Sequence, residues 1–136
     1  MIALISIFDT NIVIQILILT LNAILFLQSG LDKVFNYKGN LEWLTGHFAK
    51  SPLKGTVGLL LPVITLLEVA AGSLCAIGLV TLLVSGDQSV GYQGCLLSAV
   101  SIVALFFGQR LAQQYEGAAT LTTYFLIALL GIYMLG

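Results

Sequence analysis

Residues 57–80 read VGLLLPVITLLEVAAGSLCAIGLV, with a single ionisable side chain, Glu68. A helix that crosses the hydrocarbon core of a bilayer needs about 20 mostly apolar residues, and this stretch supplies them. Three further segments meet the same requirement. Residues 12–31 are apolar apart from a few polar positions that include Gln15, Asn22 and Gln28. Residues 92–108 lie near the short limit, and residues 118–133 form the last segment. The sequence therefore predicts one all-α domain over residues 1–136, an integral membrane four-helix bundle.

Composition leads to the same class. The 136 residues are 59% hydrophobic and 8% charged, with a mean hydropathy of +1.07. Soluble domains carry about 25% charged residues, so most of this surface is expected to face lipid. The net charge of −1 offers no basic patch to neutralise phosphates, and nucleic acid is excluded as a partner. The first 31 residues lack a basic leader and an A-x-A-like cleavage site, and their apolar run exceeds a signal peptide's core. They read as a retained first helix.

The connections differ in character. Residues 32–54 form the longest and hold most of the charge. Within it, residues 40–51 read as a short amphipathic helix between the first two membrane segments. Asn40 is the expected N-cap, Glu42 lies in the first turn and Lys50 in the last, as the helix dipole favours. Leu41, Leu44 and Phe48 define its apolar face, Pro52 stops it, and Trp43 is a headgroup-level anchor. The piece is expected to lie on the membrane surface or fold back over the bundle. All five basic residues, Lys33, Lys38, Lys50, Lys54 and Arg110, fall in the first and third connections. The positive-inside rule places those two connections in the cytoplasm and both termini outside.

Glu68 is the costly residue. A mid-helix acid costs roughly 2.5–3.5 kcal/mol on insertion scales, so it is expected to face the bundle interior, protonated or paired. Thr65, Glu68, Gly72 and Cys75 share one small-residue face along which a neighbouring helix can approach. The candidate polar cluster is Glu68 with Asn22, Gln28, Lys33 and Arg110. Two readings stand together: Glu68 as part of a proton, quinone or ligand site, and Glu68 as a polar contact that holds helices together. Gln15, Asn22 and Ser29 recur every seven residues on the first helix and suit interhelical hydrogen bonds.

Other chemistry is limited by counting. His47 is the one histidine, and its plainer reading is a solvent-side or headgroup-level residue of the amphipathic segment. Cys75 and Cys95 read as small packing residues between helices. This set cannot ligate a bis-histidine haem, an iron–sulfur cluster or a closed zinc site. No phosphate loop, nucleophile elbow or Ser/His/Asp set appears. No catalytic constellation or metal site is expected, and a cofactor held by this chain alone would be one bound without metal ligands, a quinone or a flavin.

Three motifs carry a family resemblance: FLQSGLDKVF at residues 26–35, EVAAG at 68–72 and QRLAQQYEGAA at 109–119. Together with the four segments they resemble the DoxX family of small bacterial membrane proteins over nearly the whole chain. NLEWL at 40–44 and KSPL at 50–53 look like the Bacteroidetes-type version. The resemblance implies a multi-pass protein of the bacterial cytoplasmic (inner) membrane with an association to redox biology. Some members are subunits of thiosulfate:quinone oxidoreductase, others assemble with oxidative-stress enzymes, and distant relatives act as membrane chaperones or cargo receptors. The family pattern touches Gly30, Lys33, Glu68, Gly72 and Arg110. The arginine common early in the family's first helix is missing; Gln15 and Asn22 are the polar residues there. The expected function is a non-catalytic subunit or assembly partner of a redox-associated membrane complex, in contact with lipid and with a protein partner or a second copy. The alternatives are a quinone-linked oxidoreductase subunit with Glu68 at the quinone site, and a proton or small-solute conduit.

Overall fold

The computed structural model describes residues 9–136, so the first eight residues, which the sequence assigns to a retained first helix, lie outside the described residues. Five helices follow in order: α1 (Thr10–Phe35), α2 (Tyr37–His47), α3 (Val57–Ser85), α4 (Ser89–Leu111) and α5 (Tyr115–Leu135). Four of them, α1, α3, α4 and α5, are long and apolar enough to cross a membrane. The membrane bundle expected from the sequence is therefore present, with longer helices than the apolar runs alone define. α1 and α4 continue into polar residues at both ends and α5 at its start, where water or headgroups can satisfy side chains while the backbone stays paired.

Packing follows chain order. α1 packs on α3, α3 on α4 and α4 on α5, with thinner contact between α5 and α1. Small residues line much of the interior beside large ones such as Leu19, Phe26 and Leu61, and many other large side chains point outward. Ala71, Cys75, Cys95, Ser98, Ser101 and Ala128 are buried, whereas Leu17, Leu59, Leu66, Val84 and Phe107 are exposed. Where lipid tails are as apolar as leucine, helices gain by close backbone approach rather than by hiding large side chains. Gly72 shows the approach on the α1 side, where a Cβ would lie 2.6 Å from the Leu27 backbone nitrogen, and Gly78 comes as close to the Gly91 backbone of α4.

The ends have local causes. Asp9 caps α1 by accepting a hydrogen bond from Asn11 N–H at 2.8 Å. Gly86 closes α3 in the left-handed region at φ +74°, which suits glycine. Pro62 lies in the second turn of α3, where it withholds one N–H from the carbonyl of Gly58, and the helix continues through it. Between α4 and α5, Gln113 adopts φ 59° and the Gln114 N–H reaches back to Gln109 O at 2.9 Å.

The interfacial segment differs from expectation. The helix spans Tyr37–His47 rather than residues 40–51. Backbone hydrogen bonds from Asn36 N–H to Asp32 O and from Asn40 N–H to Asn36 O carry α1 almost directly into α2. Asn40 is thus inside the helix, where its side chain donates to Asn36 O at 2.9 Å and Asp32 Oδ2 at 3.3 Å. The helix stops before Lys50 and Pro52 because Ser51 turns the chain: its N–H and hydroxyl both donate to Phe48 O. α2 folds back over one end of the bundle and contributes no buried residue.

Candidate functional site

The antiparallel pair α1 and α3 brings Lys33 and Glu68 together. On a helix each Cα–Cβ bond leans toward the N-terminus. Lys33, in the last turn of α1, therefore leans into the bundle, and Glu68 leans toward the end where α3 begins. They meet as the only ion pair among the described residues, with Lys33 Nζ 3.2 Å from Glu68 Oε2. Glu68 is 1% exposed and the Lys33 side chain 16%. Lys33 also donates to Ser29 Oγ, one turn back, at 2.9 Å. Glu68 Oε1 has no hydrogen-bond partner among the described residues.

Glycines close this seam from both sides. A Cβ on Gly30 would meet the Val69 backbone nitrogen at 2.9 Å, and one on Gly72 would meet Leu27. Side chains larger than hydrogen at these two positions would separate the helices and part the ion pair.

The other members of the expected cluster lie elsewhere. Asn22 is buried, but it precedes Gly30, which lies beside Glu68, by eight residues, or about 12 Å along the helix. Its Nδ2 instead donates to Cys95 Sγ at 3.9 Å. Gln28 is exposed. Arg110 is exposed and stacks over the Tyr115 ring at 4.4 Å. Height along the helix separates Asn22 from Glu68, whereas Gln28 and Arg110 point away from the interior.

A second polar layer lies deeper. Cys75 Sγ is 3.7 Å from Ser98 Oγ, which itself donates to Gly94 O at 2.7 Å. Both thiols are free and fully buried. Ser98 was not singled out in the sequence. The signal for it is the small-residue strip Gly94, Ser98, Ser101 on one face of α4.

The charged end has its own contact. His47 Nε2 pairs with Gln109 Oε1 at 2.9 Å, and the ring stacks on Trp43 with 4.7 Å between centroids. His47 is therefore half-buried and bonded across to α4. This bond puts the first and third connections at the same end of the bundle, together with the five basic residues.

No family model matches the chain, and neither a curated protein nor a solved structure does.

Proposed function

We propose that this protein is a DoxX-like, non-catalytic subunit or assembly partner of a redox-associated complex in the bacterial cytoplasmic membrane. One observation carries the reading: the one ion pair among the described residues is enclosed in the α1–α3 seam, between glycines that bring the two backbones into contact. A group so placed sets the spacing and rotation of two helices, and its chemistry is spent inside the fold. The basic residues at one end support a cytoplasmic orientation for the first and third connections. At that end α2 carries exposed Trp43 and the charges of Lys38 and Glu42, an ordered surface that the bundle interior does not use.

Stoichiometric copurification in mild detergent tests the reading. A partner is expected to copurify from native membranes, and its quinone-linked activity is expected to fall when this chain is deleted. That activity is expected to survive replacement of the ion pair by Lys33→Met with Glu68→Leu. A monodisperse, partner-free protein from native membranes overturns the reading.

A second reading, a quinone-linked subunit, is favoured by one specific feature. Glu68 Oε1 is an acceptor without a donor among the described residues, beside a half-buried ammonium. A quinol hydroxyl could donate to it while Lys33 bonds the second oxygen. Absence of quinone from gently purified protein, together with unchanged quinone reduction in Glu68→Gln, rules this out.

A further inference from the structure

We propose that the mouth of the bundle opposite the basic residues binds a primary ammonium group. The start of α1, the α3–α4 connection and the end of α5 surround an open cavity of about 660 Å³ there. Its polar lining comes from Asp9, Asn11, Gln15 and Gln88, with Tyr133 and Met134 beside them.

Gln15 is the reason to expect a ligand that donates hydrogen bonds. It is 3% exposed, and its Nε2 donates to Met134 O at 2.7 Å. That bond fixes which way the amide points, because the carbonyl can only accept. Gln15 Oε1 is then a buried acceptor with no partner among the described residues. A buried oxygen left in this state is costly, and a ligand N–H relieves it.

Charge selects among donors. Asp9 is the one acidic or basic side chain among the described lining residues, and all five basic residues of the chain are located at or toward the other end. The carbonyl end of α5 adds partial negative charge at the same mouth. The opposing positive end of α1 is met by Asp9 itself, whose Oδ1 takes the Asn11 N–H. The exposed Tyr133 ring offers a face to a cation at the rim. A quaternary ammonium satisfies the charge but has no N–H for Gln15, so the site should prefer the primary form.

The ammonium could belong to an ethanolamine lipid or to a free amine. Gln15 lies five residues into α1, about 8 Å from its start, a depth at which lipid headgroups sit.

Native mass spectrometry of the full chain, delipidated and then offered equal amounts of phosphatidylethanolamine and phosphatidylcholine with matched tails, tests the proposal. Preferential retention of the ethanolamine lipid, by about tenfold, is expected, which corresponds to about 1.4 kcal/mol. Gln15→Met and Asp9→Asn should each reduce that preference. Asp9 is exposed and outside the helix, so its variant keeps the test valid if Gln15→Met fails to fold. Release of the lipid by free ethylamine identifies a free amine as the natural occupant, and retention against it identifies the lipid. Equal retention of both lipids by the wild type, or a preference that survives both substitutions, overturns the proposal.

Discussion

Removing the lysine of the buried pair should cost far more than removing the glutamate. Glu68 lies eleven residues into α3, about 16 Å from the helix start, and Lys33 lies two residues from the end of α1, about 3 Å. In Glu68→Leu the lysine can swing its long arm to the nearby interface, and the leucine fills the space the carboxylate left. That variant should stay within about 1 kcal/mol of the wild type, because apolar replacement of a buried charge is often neutral. In Lys33→Met the carboxylate is stranded with both oxygens unpartnered. Breaking a buried pair this way costs about 3–5 kcal/mol. The low end, about 3 kcal/mol, applies here, since a chain unfolded within the membrane still finds partners for a stray polar group. The double variant should recover to within about 1 kcal/mol of the wild type, leaving a coupling of about 3 kcal/mol. Reversible unfolding in mixed micelles, followed by circular dichroism, measures all four proteins. If Lys33→Met is no more damaging than Glu68→Leu, or if the two effects simply add, the enclosed-pair argument is wrong.

Other expectations are independent of that pair. Gly72→Val should lower stability by about 2–4 kcal/mol, because its side chain would run into the Leu27 backbone; Gly58→Ala, with nothing within 4 Å, should be neutral or gain up to about 1 kcal/mol, and thermal unfolding of the two variants decides this. His47→Ala should cut the tie to Gln109 and raise hydrogen exchange in α2 and tryptic cleavage at Lys50 and Lys54, while exchange in the core of α3 stays as it was. The Ser89 backbone N–H, and after it the Ser89 hydroxyl, hold the Asp87 carboxyl below the usual carboxylate range. The sign follows from that depression: the connection gains from Asp87 above the ordinary carboxylate pKa, and the gain is lost as pH falls through the lowered value. Ser89→Ala should raise the Asp87 midpoint only part of the way, since the stronger backbone bond remains; an NMR titration that shows no movement removes the hydroxyl from the account.

The amphipathic segment shows where local reading ends. Leu41, Leu44 and Phe48 do mark its inward side, yet its limits are wrong by three or four residues at each end. Asn40 has the chemistry of a cap, but a cap needs a chain arriving in a non-helical direction. Here the break from helical geometry falls four residues earlier, at Asn36 (φ −121°, ψ 45°), so Asn40 lies inside the helix and finds its partners at Asp32 and Asn36 instead. Gln109 gave no signal at all, because its partner His47 is sixty-two residues away.

The sequence by itself determined the four membrane-crossing helices, the inward face of Thr65, Glu68, Gly72 and Cys75, and the gathering of basic residues in two connections. These follow from hydrophobic length, helical period and the cost of charge in lipid, which act within one segment. Tertiary structure alone decided that Lys33, and not Asn22, Gln28 or Arg110, answers Glu68, and that Asn22 turns to Cys95 instead. Those choices depend on how far each helix is rotated and shifted against its neighbour. The glycine contacts at Gly30 and Gly72 set that rotation and shift, and no single segment contains the information.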